Sequence, residues 1–453
     1  MGGILRGGYH GKRPSGKSAG GYEQIVQTQR QRAVCQGVCG LKIWYAGNTL
    51  ASRQQNKMTQ QMLINPEIVD WAQARAGLTV DGLAKKMGVG PDRLMQWKTG
   101  REAMTFKQVK KLAEKTYTPL GYLFAEKPPE ESLPVPDFRT FGDRDSARAN
   151  PSVDLLDTIY GMQRRQNWFR DYLVEIGAAP LPFTQRDTRR QNVPEVAASI
   201  RELLQVEKNQ GIAEPFSGRE AAMRGLLESV GDKTGILIMR NGVVGNNTSR
   251  PLNVKEFRGF ALYDEYAPLI FINGKDAKAA QIFTLAHELA HIYLGEGGVS
   301  NLDFGTMDKA DKLEKFCNAV TAELLVPVKP FLLRWEKGKT PGRQIAAIGK
   351  KLNVSGLVVA RCALDNKLVS RDWYWDFYKA QEKRSREGAD AADSKKGGGG
   401  NFYAAYFHRA NRRFAAAVVV SALEGRLSYR DAHNLLGVRK TETFNKIAKQ
   451  LGY

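Results

Sequence analysis

Phe283-Thr284-Leu285-Ala286-His287-Glu288-Leu289-Ala290-His291 is the stretch that decides how this chain is read. The pattern is helical, and a helix places residues four apart on one face. The imidazoles of His287 and His291 therefore point the same way and can reach one tetrahedral zinc ion. Glu288, one position on, lies about 100° around the helix, close to the metal but off its ligand face. That placement suits a general base acting on a water at the metal. Only five histidines occur in the chain, so two of them in an HExxH spacing make a specific signal. The competing reading is a solvated helix that happens to carry two histidines.

A catalytic zinc takes three protein ligands, and the third is expected from a second helix. The run Leu313-Glu314-Lys315-Phe316-Cys317-Asn318-Ala319-Val320-Thr321-Ala322-Glu323-Leu324-Leu325-Val326-Pro327 supplies candidates. Glu314 and Asn318 share a face, so Glu314 is the expected ligand and Asn318 the residue that orients a ligand imidazole. Asp311 is the alternative ligand. Glu323 falls about 180° from Glu314 and is expected to face solvent.

These residues resemble the ImmA/IrrE metallopeptidases, a gluzincin-like branch of the HExxH enzymes. The matching text is Phe283 to His291, then Glu314, Asn318, Ala322, Leu324-Leu325 and Pro327, and the resemblance runs from about Leu133 to Tyr378. Cys317 and Val320 depart from the commoner Ala and Phe, which alters packing and leaves ligation alone. The resemblance implies a zincin-like α+β domain with a short sheet, whose edge strand aligns a substrate backbone beside the HExxH helix. Glu256 to Asp264 and Leu269 to Asn273 are the local candidates for that strand. Tyr293, Tyr263 and Tyr266 are weighed as oxyanion groups, with packing as the plainer role for each.

Upstream, Ala84, Gly88, Leu94 and Trp97 have the spacing of a helix-turn-helix: a small residue where helices cross, a glycine at the turn, apolar anchors on the second helix. The surrounding text, including Trp97-Lys98-Thr99-Gly100 and Lys111-Leu112-Ala113, resembles Xre/Cro-like regulators. Tyr122-Leu123-Phe124, Pro128-Pro129 and Asp137-Phe138-Arg139 resemble fusions of such a domain to ImmA/IrrE peptidases. Asp92, Arg93, Gln96 and Lys98 are the expected contacts to double-stranded DNA, with Arg101 and Lys107 on phosphates. Gly90-Pro91 stands where a capping Ser or Thr is usual. Residues 58–128 hold eleven basic and seven acidic groups, a modest excess, so protein contact or dimerisation is the competing use.

The expected architecture is multidomain, mainly α with a small β-sheet. Residues 1–57 lack apolar periodicity and read as a disordered extension or as text upstream of a start at Met58. An all-α helix-turn-helix bundle occupies 62–127 and a proline-rich linker 128–152. The metallopeptidase domain follows at 153–383, with strands at Thr234 to Arg240, Glu256 to Tyr263 and Ala267 to Asn273. A flexible glycine-rich linker at 384–400 leads to a small helical module at 401–453.

The formal net charge is +21, but nine Lys or Arg and a single acid, Glu23, crowd into residues 1–57, so the remaining excess is diffuse. Four cysteines scattered at 35, 39, 317 and 362 give no disulfide framework, which fits a reducing cytoplasm. The longest apolar stretch, about Phe414 to Leu423, is far below the roughly 20 residues that span a bilayer, and no membrane role is expected. Together these readings favour a cytoplasmic zinc endopeptidase that cleaves a specific repressor or antitoxin-type protein, coupled to DNA, with a homodimer as a further arrangement. The alternative is a DNA-binding regulator or toxin–antitoxin component whose metal domain is a sensor or scaffold without turnover.

Overall fold

Asn65 opens the first helix by accepting the Glu67 N–H, with Pro66 already at the fixed φ a first turn needs. The computed structural model describes residues 61–137, 151–184, 191–300, 312–336, 338–392 and 402–453, and residues 60–453 form one compact unit. The expectations for residues 1–57 and for Asp311 lie outside the described residues. Helices α1 (Pro66–Arg75), α2 (Val80–Met87), α3 (Pro91–Lys98) and α4 (Phe106–Thr116) make an N-terminal bundle. Thr79 caps α2, which ends at Gly88 with φ 65°, and Thr105 with Gln108 forms a capping box on α4. Helix α3 starts at Gly90 with no side-chain cap. Ile68, Leu83, Leu94, Trp97, Val109 and Leu112 fill the bundle's core. A two-residue strand, β1 (Gln61–Met62), pairs with β2 (Met104–Thr105) across it.

Helices α5 (Val153–Glu175), α6 (Val193–Leu203) and α7 (Arg219–Thr234) lead into β3 (Leu237–Asn241). A small antiparallel pair, β4 (Val243–Val244) and β5 (Asn247–Pro251), comes next, then β6 (Gly259–Leu262), β7 (Leu269–Asn273), α8 (Lys278–Tyr293) and β8 (Gly298–Ser300). The main sheet has the order β3-β7-β6-β8, with β3 parallel to β7 and the other pairs antiparallel. Both strands named above as candidates for the edge, β6 and β7, are therefore interior. The edges are β3 and β8, and β8 is too short for any alternation in its text to show.

Alternation along the strands divides two cores. Ile238, Ala261, Ile270 and Ile272 face the layer containing α8, while Leu237, Met239, Phe260, Leu262 and Phe271 face the opposite layer. The first layer is completed by α9 (Lys312–Leu325), α10 (Val328–Arg334), α11 (Pro341–Lys351), α12 (Gly356–Asp365) and α13 (Arg371–Ala392). Helix α13 runs through 392, so the start of the stretch read as a flexible linker is helical: nothing from Arg371 to Ala392 breaks a helix, apart from Gly388, which costs only about 1 kcal/mol.

The second layer is α5 together with α14 (Phe402–Ala410), α15 (Arg412–Leu423), α16 (Tyr429–Leu436) and α17 (Thr441–Leu451). Tyr406, Phe414, Val418 and Phe444 are buried against the same cluster as Leu237, Met239 and Phe271. Each such side chain contributes about 1.5–3 kcal/mol when removed from water. The C-terminal helices are thus the second wall of the sheet's core. Arg165 of α5 rivets them, donating to the Arg409 carbonyl at 3.3 Å and stacking on Phe414. Among the described residues no single helix is long and apolar enough to cross a membrane.

Candidate metal centre

Every residue of α8 from Gln281 to Tyr293 is buried, because the helix lies between the sheet and α9. That burial turns the HExxH text inward. His287 Nε2 and His291 Nε2 face each other at 3.0 Å. Glu314, in the first turn of α9, brings one carboxylate oxygen to 3.3 Å from His287 Nε2 and the other to 2.9 Å from His291 Nε2. Three potential ligand atoms thus converge from two helices, all three residues being buried.

The donor set fits a divalent metal. Ligand bonds of about 2.0–2.1 Å in a tetrahedron set neighbouring ligand atoms about 3.3 Å apart, close to the separations here. Protonation suits it too. Burial pushes the His287 imidazole below its usual range, towards the neutral form that can ligate, although Glu314 pulls the other way. Burial alone would raise Glu314, but its hydrogen bonds to His287 and His291 outweigh that and hold it at about 2, ionised. Neutral imidazoles and an ionised carboxylate are what metal binding requires.

Asn318, one turn beyond Glu314, stands close enough to His287 to favour its protonated form, although its Oδ1 completes no well-aligned hydrogen bond. Glu323, expected to face solvent, is instead partly buried. Its carboxylate accepts the Val328 N–H at the start of α10 and lies 3.7 Å from Arg201. The reason is local, since Pro327 turns the chain and leaves that N–H needing an acceptor. Cys317 and Cys362 are both buried, and burial pushes the Cys362 thiol up to about 12. None of the three tyrosines is seen turned to the centre: Tyr263 donates to the Thr184 carbonyl at 3.0 Å, Tyr293 reaches Gln191, and Tyr266 packs on the opposite face of the sheet.

Glu288 is fully buried beside the three, where β6 crosses α8. Sequence reasoning missed the residue that makes this crossing possible. A Cβ at Gly259 would lie 2.4 Å from Thr284 Cγ2, 2.8 Å from the Phe271 carbonyl and 3.3 Å from Glu288 Oε1. A glycine inside a strand is the available signal, because it marks close backbone approach. Gly259→Ala should therefore destabilise the fold by about 1–3 kcal/mol through overpacking. Denaturant unfolding measures it, and an unchanged midpoint would show that the β6–α8 crossing has room for a methyl group.

The DNA-contact candidates sit on or just after α3. Asp92, Arg93, Gln96 and Arg101 are exposed, and Lys98 is half-buried. Arg93 is held by Glu102 at 2.6 Å and lies over Trp97; Lys98 pairs with Asp70 at 2.8 Å and Gln73 at 2.9 Å. Two of the basic groups expected to meet DNA are thus engaged within the bundle.

A short sheet thus crosses a buried HExxH helix, and the next helix delivers a carboxylate. Residues 232–362 match the family model of the IrrE N-terminal-like domain, Peptidase_M78, which supports a metallopeptidase-type function. Residues 411–450 match a second family, a domain of unknown function (DUF8813). No curated protein matches the chain.

Proposed function

We propose that this protein is a zinc-dependent endopeptidase of the cytoplasm that cuts a specific repressor or antitoxin-type protein. The observation that carries the proposal is the convergence of His287, His291 and Glu314 with Glu288 buried alongside. In this reading the domain is zincin-like, and His287, His291 and Glu314 hold the metal. Zinc, when bound, supplies Lewis acidity for water activation and carbonyl polarisation. Glu288 takes the proton from the attacking water and returns it to the leaving amine. Asn318, close to His287, is the group that would orient its ring in the metal-bound site.

The N-terminal bundle is, in the same proposal, a helix-turn-helix built from α2 and α3, which brings the enzyme to double-stranded DNA or to a target on it. Asp92, Gln96 and Arg101 are the exposed groups offered on that face. Arg93 and Lys98 join them only by exchanging Glu102 and Asp70 for phosphates. A cytoplasmic protease needs restraint, and remote binding surfaces that raise the local concentration of one target supply it.

The test compares full-length protein on unfolded casein and on a candidate repressor or antitoxin. The full chain is used because the C-terminal helices share the sheet's core. A few discrete cuts in the regulator with little casein loss is the expected result. Rapid casein degradation at many sites would replace the regulatory reading with a general peptidase.

A further inference from the structure

The sheet has two edges, and neither is open among the described residues. At β3, Asn411 between α14 and α15 donates to the Ile238 carbonyl at 3.5 Å, and Arg413 at the start of α15 donates to the Gly235 carbonyl just before the strand. The β8 edge is the one nearest Glu288. Ser300 of β8 pairs with Gly259, the residue whose missing side chain leaves room for Glu288, and Phe260 pairs with Val299. On the outer side of β8, Asp137 forms a parallel bridge with Val299, and the Val299 N–H donates to the Pro136 carbonyl at 2.9 Å. The segment that connects the N-terminal bundle to the rest of the chain therefore lies where an extended peptide would add to the sheet.

How that segment is held explains why it can also leave. Leu133 and Val135 pack against the core on the C-terminal-helix side of the sheet. Pro134 and Pro136 have no N–H to give to β8, so this stretch offers the sheet few main-chain donors. Its other end is tied to the bundle, not to the sheet. Arg75 of α1 grips Glu131 with two hydrogen bonds, at 2.5 and 2.8 Å, and donates to the Tyr117 carbonyl at 2.9 Å. Tyr117 in turn lies 3.9 Å under the Arg250 guanidinium, which is buried between Asp154 and Asp157. The occupant of the sheet edge is thus joined, by the chain itself and by the Arg75–Glu131 ion pair, to the domain offered to partners.

The peptidase reading makes the outer edge of β8 the place for an extended substrate, and we infer that Leu133–Asp137 occupies that edge in cis and must be displaced before a substrate can lie beside Glu288. Force or rearrangement at the N-terminal bundle reaches this segment through Arg75 and Glu131. The inference rests on the peptidase reading for the identity of the incoming strand, which pairs by main-chain hydrogen bonds.

The experiment uses full-length protein carrying Glu288→Gln, so that bound polypeptide is not cut, with fluorescein-labelled unfolded casein as the probe. Glu131→Ala and Val135→Asp loosen the segment by independent means, and Glu130→Ala is the control on an exposed neighbour. Both loosening variants should bind casein about tenfold more tightly than the control, equivalent to about 1.4 kcal/mol. Limited proteolysis should cut the Leu133–Asp137 segment faster when casein is bound, because displacement takes Leu133 and Val135 out of their packing. Equal affinity in all variants, or a segment still protected in the complex, overturns the inference. Restoring Glu288 separates the two ideas: tighter binding with no cleavage by any variant leaves the docking strand standing and removes the peptidase.

Discussion

Glu288→Gln is expected to abolish peptide hydrolysis while the protein keeps about one zinc per chain. The separation follows from geometry. The atoms that converge are those of His287, His291 and Glu314, and Glu288 is not one of them. A glutamine has the size of the glutamate it replaces, so the tight crossing with Gly259 and Thr284 is undisturbed. What is lost is a group able to accept a proton, and general bases contribute about 10²–10⁴-fold to rate. Metal analysis of purified variant and parent, beside turnover of a confirmed substrate, reads both halves. Cleavage at the parent's rate by the variant would remove Glu288 from the mechanism; loss of zinc would make it a ligand.

His287, Glu288 and His291 were legible from the sequence because their relation lies within one helix, where a period of 3.6 residues fixes directions. Glu314 was legible only as one acid on a favourable face. Its distance to the imidazoles depends on how α9 crosses α8, which no local pattern records. The same limit explains β8, which exists because β6 offers it a partner and not because Gly298–Ser300 has strand text. Arg93 and Lys98 read as free cations since their partners, Glu102 and Asp70, come from the loop after α3 and from another helix.

The C-terminal region shows the complementary case. Its amphipathic helices were readable, and the glycine run at 397–400 suggested a flexible linker to a small helical module. Yet an apolar stripe must be covered by something, and of the helices up to α13 only α5 packs in the cluster with Leu237, Met239 and Phe271, which the C-terminal helices complete. Long-range pairing of two apolar surfaces decided the matter. A linker's composition states how freely its ends can move, not whether they do.

Glu314→Ala should lose zinc or bind it far more weakly, and with it the stability that zinc confers. A ligand that binds only the folded state adds about 2.7 kcal/mol at a hundred times its dissociation constant, so the parent's melting temperature should rise by several degrees on adding zinc. The alanine variant leaves two imidazoles and no carboxylate, and its melting temperature should hardly respond. Removing the carboxylate also deprives His287 and His291 of their acceptor, so the metal-free variant is not expected to match the metal-free parent. For that reason the shift on adding zinc is the quantity to compare. Glu323→Ala is the control from the same helix. It removes the carboxylate's contacts to Arg201 and to the Val328 N–H but touches none of the converging atoms, and should keep the full zinc response. An unchanged zinc shift in Glu314→Ala would place the third ligand elsewhere, with Asp311 the next residue to replace.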